Sequence, residues 1–178
     1  MSHEDPRTPL WKKIWQLKIP PKIRIFSWKA CVSALPTMLN LRKRGVTTDG
    51  ICPISGQKAE SIYHALFRCN IAKECLIKIC AENQDFSDIA LGLLYARTTR
   101  DLEIMVVTAW AIWYNRNQCV HESEKQSAGQ IWDFTLSLLL NYKEASKLFQ
   151  LGLAFCEVSW KKPPMGVYKI KCAFVWTF

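Results

Sequence analysis

Two cysteines and a histidine lie at spacings that are typical of a small metal site. Structural zinc sites take thiolate and imidazole ligands in two short pairs, because a tight turn brings two side chains to one side of a tetrahedral ion. His64 and Cys69 form one such pair, and Cys52 begins the other. A Cys-x-x-Cys pattern would require a second cysteine where Ser55 stands. A neutral hydroxyl is a poor zinc ligand, so the sequence predicts a site with three good donors.

The spacing leaves two questions open. Cys75, Cys80 or a water molecule could supply a fourth donor. Alternatively, these residues are reduced core cysteines beside a surface histidine, since cysteine is among the residue types most often buried. The N-terminus carries acids and a proline where a secretory signal would be basic and then apolar. We therefore expect an intracellular, reducing environment, in which cysteines are thiols or metal ligands rather than disulfides.

Positive charge is concentrated in the first quarter of the chain. The formal net charge is +9, and ten basic residues with no acid lie between Arg7 and Arg44. From Gly45 onward, fourteen basic residues nearly balance thirteen acidic ones. Basic residues interleaved with aromatic ones can bind a phosphate backbone and stack on bases. The candidate nucleic-acid contacts are Lys12, Lys13, Lys22, Arg24, Lys29, Arg42, Lys43 and Arg44.

The aromatic residues of this stretch have a second interpretation. Trp11, Trp15, Phe26 and Trp28 lie among the lysines. A helix buries its large apolar positions by default, so we expect these side chains to be core rather than base-stacking groups. Part of the cluster at 42–44 is likewise explained as cations at the negative end of a helix dipole.

Apolar spacing predicts a mainly α-helical chain. Short helices are expected over residues 11–17, 21–34 and 38–44. Gly45 is the expected C-cap of the third helix. Turn formers are frequent from 45 to 59, which favours irregular structure there.

Two long helices are expected in the second half, as an antiparallel pair or part of a bundle. Thr98 with Asp101, and Ser127 with Gln130, have the spacing of a capping box. The apolar face predicted for the first helix contains Leu102, Val106, Ala109 and Trp113. The face predicted for the second contains Ile131, Phe134, Leu138, Tyr142, Ala145 and Phe149.

Several segments in order resemble one known family. They are Leu-Trp-Lys-Lys-Ile-Trp at 10–15, Ile-Pro-Pro-Lys-Ile-Arg-Ile-Phe-Ser-Trp-Lys-Ala at 19–30, Leu-Pro-Thr at 35–37 and Leu-Asn-Leu-Arg-Lys-Arg-Gly at 39–45. Their order resembles the zinc-binding region that follows the reverse transcriptase in plant LINE-type (non-LTR) retrotransposons. Cys52, His64 and Cys69 fall where that family places zinc ligands, and Ser55 replaces the remaining one.

Two later segments extend the resemblance. Ala-Trp-Ala-Ile-Trp-Tyr-Asn-Arg-Asn at 109–117 is similar to the Trp-x-x-Trp-x-x-Arg-Asn segment of the family's helical linker, and residues 160–171 resemble the lead-in to its ribonuclease H domain. The resemblance implies a mainly α fold in which a small zinc-knuckle-like domain precedes a long helical hairpin and a short C-terminal strand remnant. The implied parts are a disordered tail at 1–10, a degenerate zinc-binding domain of the reverse transcriptase type at 11–82, a helical linker at 83–158 and a truncated first ribonuclease H strand at 159–178.

The departures from the family predict a binding protein rather than an enzyme. Ala173 stands where the family has its first metal-binding aspartate, and the chain ends at Phe178 before further carboxylates of a two-metal site. No reverse transcriptase core precedes Met1, so we expect no catalysis. The resemblance implies a nonspecific nucleic-acid-binding module for RNA or DNA, with zinc as cofactor and, by resemblance only, a nuclear location.

One other class of function remains open. The long helices could instead belong to a structural or protein-interaction fragment that covers a partner with its apolar faces. An enzyme is less favoured, because neither His64 nor His121 has a convincing orienting acid nearby in sequence, and histidines in globular chains are more often structural. The apolar run at 104–114 is about half of the roughly 20 residues that a membrane span needs, so we expect no membrane partner. The sequence does not indicate an oligomeric state.

Overall fold

The computed structural model describes residues 7–76, 85–121 and 126–151. In chain order its α-helices are α1 (Thr8–Gln16), α2 (Pro21–Cys31), α3 (Met38–Lys43), α4 (Asn70–Leu76), α5 (Phe86–Ala96), α6 (Thr99–His121) and α7 (Ala128–Gln150). A π-helix over His64–Arg68 precedes α4. The described residues contain no strand beyond an isolated antiparallel bridge between Ile51 and Ala59. The mainly helical fold is confirmed, and the predicted strand at 159–178 lies outside the described residues.

The helix ends follow local sequence signals. Pro21 occupies the first turn of α2, and Gly45 follows α3 with a φ of 72°, a left-handed conformation that glycine adopts without strain. Both predicted capping boxes form, with Asp101 N donating to Thr98 Oγ1 at 3.2 Å and Ser127 accepting the corresponding bond from Gln130. Helix α1 begins at Thr8, three residues earlier than predicted, because a proline suits its first turn.

Helix α6 is the centre of the described structure. Helices α2, α4, α5 and α7 and the π-helix all pack against it. Even the polar side chains of Glu103, Thr108 and Asn115 are buried along its length. The residues predicted for its apolar face, Leu102, Val106, Ala109 and Trp113, are all buried. Helix α6 therefore packs against α2 from the first quarter of the chain and against α7 from the second half.

The apolar face predicted for α7 is partly wrong. Of the predicted residues, Ile131 is buried and Leu138 packs partly against the core, whereas Phe134 is 39% exposed and Phe149 is 76% exposed. Leu139, which was not predicted for this face, is buried. The Lys143 ammonium already lies 2.9 Å from the Glu103 carboxylate, near the start of α6. Because the two helices run antiparallel, the last turn of α7 extends past the beginning of α6 and leaves its apolar side chains in solvent.

Buried polar contacts fix the neighbouring segments to α6. The Glu103 carboxylate accepts a hydrogen bond of 2.9 Å from the backbone N–H of Lys18, in the link between α1 and α2. The Asn115 amide oxygen accepts another from Gln126 N at 2.9 Å, just before α7. These bonds satisfy groups that would otherwise be costly to bury. Among the described residues, no helix has the combined length and apolar character that crossing a lipid bilayer demands.

Candidate metal centre

The first half of the site is a tight hairpin at residues 50–60. Cys52 N donates to the Lys58 carbonyl at 2.8 Å, and Gly56 N donates back to the Cys52 carbonyl at 2.8 Å. Gly56 has a φ of 65°, which a residue with a side chain adopts only with strain. This turn reverses the chain directly after Cys52 and therefore keeps Ser55 close to it.

The second half of the site is the π-helix. His64 begins it, and Cys69 follows its last residue and donates its N–H to the His64 carbonyl at 2.7 Å. In an α-helix, residues five apart lie about 140° apart around the axis, because each turn takes about 3.6 residues. The π-helix instead bonds residue i to residue i+5, and this wider turn brings the side chains of His64 and Cys69 to one side of the helix. The Ser61 hydroxyl accepts a 3.0 Å bond from His64 N and fixes the start of this turn.

The structure brings the three predicted donors together. The Cys52 and Cys69 sulfurs are 4.0 Å apart, and the donor atoms of Cys52, His64 and Cys69 all lie within 4.8 Å of one another. Tetrahedral zinc with Zn–S bonds of about 2.3 Å places two sulfurs about 3.8 Å apart. All three residues are buried, as the ligands of a structural ion are. The donor set and its spacing therefore fit zinc.

Ser55 stands beside this group of three donors. Its hydroxyl oxygen is 3.4 Å from His64 Nε2. Oxygen and nitrogen ligands, each about 2.0 Å from a tetrahedral zinc, would be about 3.3 Å apart. The fourth corner of the site is thus approached by the half-exposed, neutral hydroxyl of Ser55.

The alternative fourth donors do not enter the group. The Cys75 thiol donates to the Ala128 carbonyl at 3.8 Å and belongs to the contact between α4 and α7. Burial raises its pKa to about 11, which favours an inert neutral thiol. Cys80 lies outside the described residues. Within the part of the chain that is described, Ser55 or solvent is left to complete the coordination.

Burial shifts the pKa of His64 and of Cys69. It lowers the pKa of His64, although the Glu60 carboxylate opposes this shift, and so favours the neutral imidazole that binds metals. Burial and the neighbouring Cys52 raise the pKa of Cys69 to about 11. The metal-free site therefore holds a neutral Cys69 thiol, and binding of zinc must release its proton.

A buried ion pair adjoins the site and was not predicted from the sequence. Glu60 is fully buried, and Arg116 donates to its two carboxylate oxygens at 2.9 and 2.7 Å. The same carboxylate accepts the backbone N–H of Met38 at 2.8 Å, at the start of α3. The guanidinium also lies 5.1 Å from the centre of the Trp113 ring. Glu60 thus joins the hairpin, α3 and α6 at one point.

The predicted nucleic-acid contacts fall into two groups, and five of the eight are exposed. Arg42, Lys43 and Arg44 are exposed at the end of α3. The others belong to α1 and α2, where Lys12 and Lys22 are exposed and Lys13, Arg24 and Lys29 are half-buried.

The aromatic residues among these cations do not all belong to the core. Phe26 is buried and Trp11 packs partly against the core, as expected. Trp15 and Trp28 are 48% and 41% exposed, so the expectation that they are core is wrong. They lie on the outer sides of short helices that already bury their other faces against α5 and α6.

A donor group of two thiols and one imidazole, held by a glycine turn and a short helix, defines a zinc-knuckle-like site. Residues 1–75 match the family model described as zinc-binding in reverse transcriptase. This match covers less than half of the chain and contains all three donors. No curated protein and no solved structure matches the chain. The resemblance to reverse transcriptase zinc-binding regions is therefore confirmed for this part of the sequence.

Proposed function

We propose that the chain is a nonspecific nucleic-acid-binding module, derived from a reverse transcriptase protein and without catalysis of its own. The supporting observation is the basic stretch at residues 7–44, which contains no acid and lies in part on the surface. The same helical frame carries the donor group of Cys52, His64 and Cys69. A phosphate backbone attracts such a surface regardless of sequence. RNA and DNA are both ligands in this proposal.

The contacts between α3 and the hairpin connect the metal group to the basic cluster. Leu39 N donates to the Glu60 carbonyl at 3.3 Å, and the Glu60 carboxylate accepts Met38 N. The Arg42 side chain packs against Gly50, where an added Cβ would lie 3.5 Å from its Cδ. Zinc that orders the hairpin would therefore also fix the direction in which the end of α3 presents its cations.

The proposed source is a plant LINE-type retrotransposon. Its support is the ordered resemblance at 10–45, 109–117 and 160–171, of which the last lies outside the described residues. The contact between Arg116 and Glu60 gives the arginine of the linker segment a structural role beside the zinc-binding region. A ribonuclease H strand at 159–178 and a nuclear location are part of the same proposal.

Zinc content is the first test of the site. We expect about one zinc per chain after washing with a mild chelator, since three buried donors of the preferred types converge. Cys69→Ala should lose the zinc, while Cys75→Ala, a control at the next cysteine, should keep it. Elemental analysis and melting curves with and without a strong chelator measure both effects. Equal zinc content in wild type and Cys69→Ala would contradict the assignment.

Salt dependence tests the basic cluster. Changing Arg42, Lys43 and Arg44 together to Gln should reduce the slope of log K against log salt by about 2 to 3, because each phosphate contact contributes about 0.7 to 0.9. The matched control is Arg97, Arg100 and Lys147 to Gln, an equal loss of charge at exposed positions outside the acid-free stretch. Anisotropy titrations with RNA and DNA measure the slope. Equal slopes in the two triple variants would assign 42–44 to helix-end charges alone.

A protein-interaction fragment is the second candidate. Helix α7 and the residue that follows it expose several large apolar side chains: Trp132, Phe134, Leu140, Leu148, Phe149 and Leu151. Binding through such a surface would depend little on salt, because apolar contacts are not screened. The titration above therefore also separates the two candidates.

A further inference from the structure

Three aromatic rings meet at the edge of the contact between α6 and α7. Trp110 and Tyr114 of α6 and Phe134 of α7 have ring centroids 5.6 to 6.5 Å apart, and their planes differ by 29° at most. Phe134 is 39% exposed, and the other two rings are half-buried. We call these three side chains the aromatic trio.

The trio lies at the rim of the contact between the two helices. The buried line of α7 runs through Ile131, Thr135 and Leu139, and Phe134 stands at the edge of this line, where its ring stacks on α6 and stays partly exposed. The Tyr114 hydroxyl accepts a 3.0 Å hydrogen bond from Gln118, which fixes that ring. The trio is therefore an ordered aromatic surface that the described part of the chain leaves partly open to solvent.

The basic surface of α2 continues directly onto the trio. The Lys22 ammonium lies 4.5 Å from the centre of the Trp110 ring, which is the distance of a cation–π contact. Lys22 is exposed and belongs to the stretch without acids. A phosphate bound near Lys22 would place its own base, or a neighbouring one, within reach of the aromatic trio.

We infer that the aromatic trio is a stacking platform for unpaired bases, and that the module prefers single-stranded RNA or DNA to duplex. This inference rests on the proposed function, because the phosphate contacts bring the strand to the platform. Duplex bases are already stacked on each other, whereas those of a single strand can turn out onto an aromatic side chain. Loss of one stacking ring weakens binding about 5- to 150-fold per base.

The test compares Phe134→Leu with wild type on a short labelled single-stranded oligonucleotide and on a duplex of equal length. Leucine keeps the apolar volume and removes the π face, and the exposed position should leave folding intact, as a melting curve checks. We expect affinity for the single strand to fall at least about fivefold with an unchanged salt slope, while duplex binding stays the same. Phe134→Trp should retain the single-strand affinity.

Leu140→Ala is the matched control, since Leu140 is 57% exposed on the same helix and carries no ring. It should bind like wild type. Unchanged single-strand affinity in Phe134→Leu, or an equal loss for both ligands, would overturn the inference while leaving phosphate binding in place. If wild type binds neither ligand with a salt slope, the proposed function itself fails.

Discussion

Replacing Ser55 by cysteine should tighten zinc binding by at least about 100-fold. Loss of a group that merely orients a ligand already costs about 10- to 100-fold in affinity, so a new thiolate ligand should gain more. The Ser55 oxygen stands 3.4 Å from His64 Nε2, which means that the new sulfur needs no rearrangement of the hairpin to approach the ion. A 100-fold gain stabilises the zinc-loaded protein by about 2.7 kcal/mol when zinc is in excess. Competition with a chromogenic chelator measures the affinity, and a melting curve in zinc measures the stability.

The control for this change is Thr48→Cys, which adds an exposed thiol earlier in the same loop but outside the donor group. Its zinc affinity should equal that of wild type. If Ser55→Cys binds zinc no more tightly than Thr48→Cys, residue 55 is not a ligand position. A fourth donor would then have to come from elsewhere.

The donor group was predictable because its information is local. Cys52 starts a turn that Gly56 closes, and His64 and Cys69 follow within a short distance. What the sequence did not show is how the second pair converges. Ordinary helical geometry would separate the two side chains, and only the π-helix aligns them. Its wider bonding depends on the surrounding packing, for which the apolar pattern carries no signal.

The contact between Glu60 and Arg116 was unpredictable for a different reason. The two residues are 56 positions apart, and a lone glutamate in a turn-rich segment resembles any surface acid. The resemblance placed Arg116 in a recognisable motif without indicating that this motif touches the hairpin that contains Glu60. The exposure of Phe149 likewise depends on where α7 ends relative to α6, which the spacing of apolar residues within α7 does not determine.

Breaking the buried ion pair of Glu60 and Arg116 should cost more stability than breaking the more exposed pair of Glu103 and Lys143. Glu60→Gln leaves the Arg116 guanidinium buried without its counter-charge, and such a change costs about 3 to 5 kcal/mol. For a chain of this size, a loss of that free energy should lower the melting temperature by about 6 to 20 °C. Chemical denaturation of wild type and variant, both loaded with zinc, measures the free energy of unfolding.

The double variant Glu60→Met with Arg116→Met tests where the loss of stability in Glu60→Gln comes from. The loss could come from burying an unpaired charge or from losing the attraction between the two charges. Because apolar side chains of similar volume replace a buried ion pair at little cost, the double variant should regain most of the stability. The part not regained belongs to Met38 N, which loses its acceptor at the start of α3.

Glu103→Gln is the comparison, since its partner Lys143 is 29% exposed, and solvent should reduce the loss there to about 1 kcal/mol. A loss at Glu60 no larger than at Glu103 would show that the ion pair is not what holds the hairpin, α3 and α6 together.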